Sequence, residues 1–478
     1  MTVLPRLMGG VAGVAAAELV AGLSGGAGPT AALSRLIADR LPLAAVELAV
    51  YRLHRWDKAA LRVVSAFILV AVVAGTVGAA ESSGAWVRAA VVAAAVCAVR
   101  LYRPPRIAAV AVVAAVTLVV GAAGATRFSR RHLQAAGAVA TATVLAAVVV
   151  HRRRGRGGAV AWSQGSSLLA SAPPSDGAED WGHGTPLITP LEQFHVTDVN
   201  FGAPRVDVAA WRLSLTGEVA RPADLDWAAL LDLGVVDIDA AMVCIHNRVG
   251  WERVANARWQ GVPLPRLSHL VGARATAAHV VTRAIDGFTI SLSLAELEAR
   301  GLDAYVVVGM NGQPLTAAHG YPARFLVPGL YGQFAGVKWL TGIHFTDRHV
   351  PGDWERRGWP PDAVMARTHS RIDAARQAGD TLLVTGVAWA PPHGVAAVEV
   401  SVDRGPWVGA ELAAAVGPMA WRRWRKRLCL TPGPHRIRAR AVRADGQVQD
   451  GEPGPPFPSG VTGYHEVVAN VAPLPRAR

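Results

Sequence analysis

The sequence predicts a multi-domain fold with three parts: an all-α transmembrane bundle, an α+β domain and an all-β sandwich. Long apolar runs recur in the first third of the chain, mixed short strands and helices follow, and the C-terminal part alternates in the manner of strands. At 478 residues the chain is too long for one compact core, so several domains are expected. We place the transmembrane domain, a linker, the α+β domain and the sandwich at 1–156, 157–188, 189–375 and 378–472.

The first part is predicted to contain about five transmembrane helices, since each apolar run approaches the ~20 residues needed to cross the hydrocarbon core. Ala, Val and Gly dominate these runs, so we expect the helices to pack closely. No histidine lies in the middle of a run, and a haem held by this chain is therefore not expected. The runs are 7–25, 59–79, 84–101, 107–125 and 133–151.

The net charge of +13 lies entirely in the apolar first third. Residues 1–156 hold 18 basic and 5 acidic side chains, whereas the remainder holds 30 of each. Basic residues that flank apolar runs indicate membrane topology and argue against a nucleic-acid partner. Because the last run leads into Arg152–Arg154, we expect a multi-pass cell-membrane protein with its soluble domains on the cytoplasmic side. The membrane part would serve as a lipid anchor or as a docking site for a quinone or electron-transfer partner.

Changes in composition and in residue periodicity along the rest of the chain define the soluble parts. Residues 157–188 are rich in Gly, Ser, Ala and Pro without periodicity, which is typical of a flexible tether. Residues 209–217 alternate like a strand, and residues 292–300 repeat at helical spacing and end before Gly301. This mixture predicts an α+β domain. Alternating or apolar strands then predict a β-sandwich, at 382–389, 397–402 and 435–442.

The stretch Trp421–Arg427 interleaves tryptophans with cations. Such a pattern occurs in single-stranded nucleic-acid sites, where bases stack on the rings. It also occurs in a strand that buries Trp on one side and turns Arg to solvent. We favour the strand, because the part of the chain after residue 156 carries no excess of positive charge.

A single cysteine, Cys244, follows an apolar run and stands three residues before the pair Asn247-Arg248. The three cysteines are widely scattered and form no CxxC pair, so neither a zinc site nor a disulfide framework is indicated. One thiolate beside a cation suits a soft metal centre that needs only one ligand from the protein. The alternative is a small buried core residue, which is a common environment for a free cysteine.

Four glycine-containing turns follow within residues 309–340. Glycine lets the backbone approach a ligand closely, and backbone N–H groups together with Arg324 and Lys338 could neutralise a phosphate. His319 could donate a hydrogen bond to a heterocycle. Each turn alone could be an ordinary surface turn. Their number, after the Cys-Asn-Arg element, favours an anion site.

The order of these motifs resembles the sulfite oxidase family of molybdopterin enzymes over roughly 186–470. The resemblance implies a molybdopterin-binding domain of that family, followed by an immunoglobulin-like dimerisation domain, and hence a possible homodimer. The five-span N-terminus resembles a membrane-bound subgroup. The motifs are Cys-Ile-His-Asn-Arg-Val-Gly at 244–250, Asn-Ala-Arg-Trp-Gln-Gly-Val-Pro-Leu at 256–264, Asp-Gly-Phe at 286–288, Met-Asn-Gly at 310–312, His-Gly-Tyr-Pro-Ala-Arg at 319–324, Val-Pro-Gly at 327–329 and Val-Lys-Trp-Leu at 337–340.

Residue by residue, the resemblance implies that Cys244 is the thiolate ligand of molybdenum. It also implies that Arg248 supports the metal site without binding the metal itself. The other positions that match the family's pattern are expected to hold the pterin and its phosphate. They are Phe194, His195, Asn247, His319, Arg324, Gly336, Val337 and Lys338.

Two departures from the family pattern bear on the substrate. Sulfite-oxidising members carry an arginine where this chain has Val249 and a tyrosine where it has Val308. We therefore expect two-electron oxo transfer to or from a sulfur or nitrogen centre, with a small neutral oxide such as an organic sulfoxide as the substrate and an external electron partner. The alternatives are a sulfite dehydrogenase that uses replacement cations, Arg253 or Arg258, and a non-catalytic membrane scaffold that has lost the cofactor.

Overall fold

The structure is a computed structural model, and it falls into two compact units. One comprises Met1–Val160 with Asp198–Arg205, and the other comprises Ala161–Thr197 with Val206–Arg478. The second unit contains nearly all of the described residues. The structure describes residues 173–179, 181, 184–197, 203–362 and 364–473, and five single residues between 33 and 68.

The predicted fold class with an all-α transmembrane bundle is wrong. From residue 173 onward the described part of the chain is mostly β, and its four helices lie between residues 227 and 335. Among all described residues, no helix has both the length and the apolar character needed to cross a bilayer. Apart from Ser65 and Ile68, the five runs predicted as spans, and Cys97 with them, lie outside the described residues. An apolar run records a preference for a non-aqueous environment, which is not by itself sufficient to specify a bundle of helices.

Residues 213–346 form a β-rich domain, in which short helices connect the strands of two sheets. The strand sequences favour this arrangement because β-branched residues fit a pleated, buried surface, as in Val306–Val308. In chain order the elements are β1 (Leu213–Gly217), β2 (Ala223–Leu225), α1 (Trp227–Asp232), β3 (Val236–Val243), β4 (Val254–Pro263), α2 (Leu264–Val271), β5 (His279–Ala284), β6 (Thr289–Ser293), α3 (Leu294–Ala299), β7 (Tyr305–Met310), β8 (Gln313–Pro314), a 3-10 turn (Ala317–His319), β9 (Arg324–Leu326), α4 (Gly332–Ala335), β10 (Gly336–Val337), β11 (Leu340–Thr346) and a second 3-10 turn (Glu355–Arg357).

The first sheet has five strands in the order β2-β1-β11-β5-β6. β1 pairs with β11 in parallel, and the other neighbours are antiparallel. Leu213 and Leu215 alternate along β1 and are fully buried, which is the period-two pattern expected of a strand with one face in the core. The indole of Trp211 donates to the carbonyl of Leu340 (2.8 Å) and fixes the start of this pair.

The second sheet positions the candidate site. Its order is β10-β9-β7-β4-β3, and β8 pairs with β7. β3 ends one residue before Cys244, while β9 begins at Arg324. The antiparallel register places Gly336 opposite Leu326 and Val337 opposite Phe325, so the residue after β10 emerges beside the start of β9. Lys338 therefore lies beside Arg324 at this end of the β9–β10 pair.

The helices are short and have defined ends. The carboxylate of Asp226 accepts from the N–H of Ala229 (2.9 Å) at the start of α1, and the hydroxyl of Ser293 accepts from the N–H of Glu296 (3.3 Å) at the start of α3. The helix predicted over 292–300 is observed as the shorter α3. The first two residues of the predicted range belong to β6 instead. Because none of the four helices exceeds eight residues, this domain is β-rich and not the α+β domain that we predicted.

Residues 369–471 form a sandwich of two four-stranded antiparallel sheets, with orders β12-β13-β17-β16 and β15-β14-β18-β19. The facing sides bury a common core that includes Val384, Trp424, Val398 and Ile437, each with no exposed surface. The strands are β12 (His369–Ala378), β13 (Thr381–Trp389), β14 (Val395–Val402), β15 (Val408–Gly409), β16 (Glu411–Leu412), β17 (Arg422–Cys429), β18 (Gly433–Arg443) and β19 (His465–Val471).

The Trp421–Arg427 stretch lies mostly in β17. Trp424 packs into the sandwich core, and the indole of Trp421 donates to the carbonyl of Leu187 (2.8 Å). Arg425 forms a paired hydrogen bond with the carboxylate of Glu411, at 2.7 Å for each contact. These aromatic and basic side chains are engaged within the fold.

The segment before residue 189 lies against the sandwich in its described part. Asp176 is buried and accepts two hydrogen bonds from the guanidinium of Arg423, one of them 2.7 Å long from Nε. Ala178 has no exposed surface, and the hydroxyl of Thr185 donates to Asp373 (2.6 Å). The described residues between 173 and 188, which the sequence assigned to a flexible tether, therefore form a packed strap whose anchor is a buried ion pair.

We expect Asp176→Asn to lower the free energy of unfolding by about 3 kcal/mol, because the buried Arg423 guanidinium then has only the exposed carboxylate of Glu179, 3.9 Å away, as a counter-charge. Burial alone would raise the pKa of Asp176, but the hydrogen bonds and charge of Arg423 outweigh it and lower the pKa. The contribution of the pair is therefore present above about pH 4 and is lost as pH falls through the folded pKa. Urea unfolding at several pH values measures both effects.

Glu411→Gln is the matched control, since it removes the charge from an exposed pair with Arg425. Little change is expected there. Equal losses for the two variants, or a loss for Asp176→Asn that does not shrink as pH falls below about 4, would contradict the assignment of Asp176 as the anchor.

Candidate active site

Cys244 lies at the carboxyl end of β3, where the strand pair β3–β4 opens into a loop. The N–H of Cys244 donates to the carbonyl of Arg253 (3.0 Å) and closes this loop at its base. Within it, the N–H of Asn247 donates to the carbonyl of Cys244 (2.8 Å), and the Asn247 side chain accepts from the N–H of Arg253 (2.8 Å). Asn247 thus holds the loop shape from inside, and the thiol is buried at a fixed position. We refer to residues 244–253 as the ligand loop.

The surroundings of the thiol favour its ionised form. Burial alone would raise the pKa of Cys244, but hydrogen bonding from His246 and the charges of His246 and Arg253 outweigh it and lower the pKa to about 7. The hydroxyl of Thr197 lies 3.8 Å from Sγ and is oriented to donate to it. A thiol of this kind is suited to bind a soft metal as a thiolate.

Arg248, predicted to support the metal site, lies 5.7 Å from the ring centroid of Trp251. The N–H of Trp251 donates to the carbonyl of Arg248 (3.0 Å), so the two residues form a turn at the far side of the ligand loop. The arginine whose charge acts on Cys244 is Arg253, at the base of the loop. The family resemblance selected Arg248, whereas the backbone hydrogen bond at the base of the loop places Arg253 directly opposite Cys244.

The ligand loop is braced by the sandwich. Gly250 has φ +79°, and a Cβ at this position would lie 2.4 Å from Nε2 of His465. The guanidinium of Arg371 donates to the carbonyl of Trp251 (3.2 Å). Only glycine allows this close approach, so the loop is held between β4 and the sandwich.

A second cluster gathers three of the predicted cofactor residues. The rings of Phe194 and His195 stack with centroids 5.3 Å apart, and Phe194 meets the ring of His319 edge to face at 5.6 Å. Phe194 also meets Trp259 edge to face at 5.5 Å, which fixes it against β4. Burial, together with nearby cations that include Arg324, lowers the pKa of His195 to about 3 and that of His319 to about 4. Both imidazoles are therefore neutral at pH 7.

The cations of this cluster are held in the interior. Arg324 is only 4% exposed, and burial lowers its pKa to about 10. Its guanidinium donates to the carbonyl of His319 (3.2 Å) and lies 5.1 Å from the ring centroid of Trp259. Lys338 is 9% exposed and donates to the carbonyl of Ala318 (3.1 Å). Two buried cations next to neutral imidazoles form a site for an anion.

The predicted run Gly336-Val337-Lys338 adjoins this cation pair. A Cβ at Gly336 would lie 2.8 Å from Nη2 of Arg324 and 3.0 Å from the carbonyl of Gly332. Val337 is fully buried in β10, where it pairs with Phe325. The backbone therefore passes directly beside the guanidinium, which a residue with a side chain would prevent.

Aromatic rings surround the other side of the ligand loop. His246 meets Trp359 edge to face at 5.7 Å, and Trp359 contacts Phe457 at 4.9 Å and Phe334 at 6.5 Å. Trp359 and Phe334 are almost completely buried. We call His246, Trp359, Phe334 and Phe457 the aromatic wall. Of these four, only His246 belongs to a motif noted in the sequence.

Several buried polar atoms in this region have no hydrogen-bond partner within the described part of the chain. An unsatisfied buried polar atom costs about 1–3 kcal/mol, so a cluster of them indicates a ligand that completes the hydrogen bonds. Together with a low-pKa thiol and buried cations, the donors fit a pterin cofactor that carries a phosphate and a metal. The atoms are Nδ1 of His195, Nε2 of His246, Nε2 of His319, Nε of Arg324, Nε1 of Trp359, and Nε2 and Oε1 of Gln333.

Sequence reasoning missed three residues near the thiol. Arg253 was named only as a replacement cation, and Gln333 had no local signal, since it lies in α4 between two glycine turns. Tyr331 is 2% exposed, and its pKa is raised to about 12 by burial, with a contribution from Cys244. Its hydroxyl accepts from the N–H of Arg367 (3.3 Å). Each of these positions follows from tertiary contacts that no short motif encodes.

Comparisons with known proteins agree with this site. A family profile described as "Oxidoreductase molybdopterin binding domain" matches residues 200–354. The uncharacterized oxidoreductase YuiH of Bacillus subtilis is 34% identical over 173 residues, which make up 36% of this chain and 82% of that protein. Mitochondrial sulfite oxidase of Drosophila melanogaster is 27% identical over 319 residues and is matched over 55% of its length and of this chain. This chain thus spans about half of that relative.

A solved structure shows the likeness of fold. The sulfane dehydrogenase SoxCD from Paracoccus pantotrophus superimposes with a TM-score of 0.50 and 22% identity, over 59% of this chain and 76% of that one. The profile and the relatives support an oxidoreductase enzyme with a molybdenum cofactor. With 34% identity over most of YuiH, this chain belongs to the molybdopterin-binding oxidoreductases of the sulfite oxidase family.

Proposed function

We propose that this enzyme transfers an oxygen atom, with two electrons, to or from the sulfur or nitrogen centre of a neutral organic molecule. An organic sulfoxide is the simplest such substrate. The observation that carries the proposal is the aromatic wall. Its member His246 hydrogen-bonds Cys244 and meets the ring of Trp359 edge to face. Apolar rings bind the carbon substituents of a neutral oxide and offer little to a small, strongly hydrated dianion.

The chain's own residues divide the work around the cofactor. Cys244 would bind the metal, and the metal–pterin group would supply the two-electron oxo-transfer chemistry. Arg324 and Lys338 would bind the phosphate, and His319, neutral at pH 7, would hydrogen-bond the pterin. Asn247 shapes the ligand loop and so orients the thiolate.

The substrate balance requires a separate electron partner. Reduction of a sulfoxide consumes two electrons and two protons, breaks the S–O bond and releases a thioether and water; the oxidation runs in reverse. We propose that a redox protein or a quinone exchanges these electrons. The need for such a partner follows from the two electrons that each reaction consumes or releases.

The residues that replace the sulfite-binding side chains support a neutral substrate. Val308 is fully buried inside β7, and Val249 lies in the ligand loop. Arg258, one possible replacement cation, forms a paired interaction with the carboxylate of Asp239, at 2.9 Å from Nε and 2.6 Å from Nη2. Its charge is thus neutralised within the sheet.

A sulfite dehydrogenase remains the second candidate because of Arg253. This arginine lies at the base of the ligand loop, and its charge acts on Cys244. A cation whose charge reaches the metal ligand could also attract an oxyanion substrate. The two candidates differ in the charge of the substrate and are separable by direct assay.

We expect molybdenum-loaded protein to reduce alkyl and aryl sulfoxides with a reduced viologen dye, at a kcat/KM at least tenfold above that for sulfite oxidation with an oxidised dye. The aromatic wall gives the physical reason, since it favours neutral substrates. Steady-state rates with both substrate classes measure the ratio. Efficient sulfite oxidation without turnover of any organic oxide would overturn the proposal in favour of the second candidate.

Cys244→Ala should abolish turnover, because it removes the only thiolate that the ligand loop offers to the metal. Metal analysis and dye-linked assays measure this loss, and far-UV circular dichroism checks the fold. Cys429→Ala is the matched control, since this cysteine is exposed at the end of β17. Full activity is expected there, and retention of activity in Cys244→Ala would exclude the proposed metal ligand.

Trp359→Leu should raise KM for a bulky aryl sulfoxide by about tenfold and have less effect with dimethyl sulfoxide, because it removes ring contacts of the aromatic wall. Trp389→Leu is the control. Trp389 is equally buried and also contacts a histidine ring, His369 at 5.7 Å, but it lies in the sandwich. It should lower thermal stability without changing KM. A parallel change in KM for both variants would remove the aromatic wall from the substrate site.

A further inference from the structure

Gln333 combines burial with a complete lack of hydrogen bonds. It is 9% exposed, and both its Nε2 and its Oε1 are buried without a partner in the described part of the chain. Among the described residues, it is the only one with two such atoms. A buried carboxamide that makes no hydrogen bond is unfavourable unless a ligand supplies them.

The neighbours of Gln333 place it between the thiol and the cations. One residue earlier, Gly332 lies against β3, where a Cβ would be 3.6 Å from the carbonyl of Val243 and 3.7 Å from the side chain of Met242. Three residues later, Gly336 lies against the guanidinium of Arg324. Met242 and Arg324 are themselves in contact, at 3.5 Å from Sδ to Nη2. The short helix α4 therefore bridges the strand that ends at Cys244 and the anion site.

The chemistry of a carboxamide differs from that of the other residues in the cluster. Arg324 and Lys338 offer only donors and positive charge, which suit a phosphate. A carboxamide offers two donors and one acceptor in a plane. The pyrimidinone ring of a pterin presents a matching edge, with a carbonyl, a ring N–H and an amino group side by side.

We propose that Gln333 is a further cofactor-binding residue, whose carboxamide pairs with the donor–acceptor edge of the pterin. Gln333 binds the neutral heterocycle, while the two cations bind the phosphate. This inference depends on the cofactor and is independent of the substrate, so it stands or falls separately from the sulfoxide assays.

The test compares Gln333→Met with the wild-type chain in two forms, one produced in a cofactor-deficient host and one loaded with the cofactor. Methionine has a similar volume and no hydrogen-bonding requirement. In the cofactor-free form we expect the variant to melt about 2 °C or more above the wild type, because two unsatisfied polar atoms are removed. In the loaded form it should melt below the wild type. Pterin and molybdenum per chain should fall by about tenfold.

Thr385→Val is the matched control. The Thr385 hydroxyl is also buried without a partner, but it lies in β13 of the sandwich. Its substitution should shift the two forms equally and leave pterin content unchanged. Two results would overturn the proposal: a Gln333→Met chain that melts below the wild type without cofactor, or one that shows the same shift in both forms at full pterin content.

Discussion

The interior of the β-rich domain contains a guanidinium with no carboxylate beside it among the described residues, and the site depends on this arrangement. Arg324 is buried against the ring of Trp259, and its pKa is lowered to about 10 by burial alone. A buried charge of this kind is costly without a counter-ion, so the fold accepts a local penalty that an anionic ligand removes. Elsewhere the chain neutralises buried arginines in the usual way, as Asp176 does for Arg423. The contrast between the two arginines identifies the ligand site.

The same contrast explains how binding and stability are linked. A ligand that binds only the folded chain stabilises it in proportion to the logarithm of its concentration over Kd. Here the described residues that have a buried polar atom without a hydrogen-bond partner include His195, His319, Arg324 and Gln333. A cofactor bound at these residues would complete their hydrogen bonds. Its binding would then stabilise the domain as well as supply the redox chemistry.

Short sequence motifs were sufficient to identify most of the residues that the structure gathers at the candidate site. Cys244 and Asn247 share one loop, and His319, Arg324 and Lys338 share one cluster, because each belongs to a short motif at a strand end or glycine turn. Composition was a weaker guide. Apolar runs in residues 1–156 led to the prediction of a fold class that the described part of the chain does not show.

Other features depend on register and on contacts between distant segments. Arg258 meets Asp239 because β3 and β4 pair at these two residues, and this register could not be read from the spacing of motifs. Arg253 approaches Cys244 for the same reason. Gln333 lies in a four-residue helix whose only sequence signal is the presence of glycines on either side. Such positions are set by sheet assembly, and a motif search has no means to find them.

The buried strap at Asp176 and Thr185 has a practical consequence for anyone who wishes to isolate the catalytic portion. A polypeptide that starts at residue 189 would lack the carbonyl of Leu187, which accepts from both Asn256 and Trp421, and would leave Arg423 facing an empty groove. A fragment that keeps these contacts must therefore include Asp176, Thr185 and Leu187. These residues contribute to the packing of the sandwich although they belong to none of its strands.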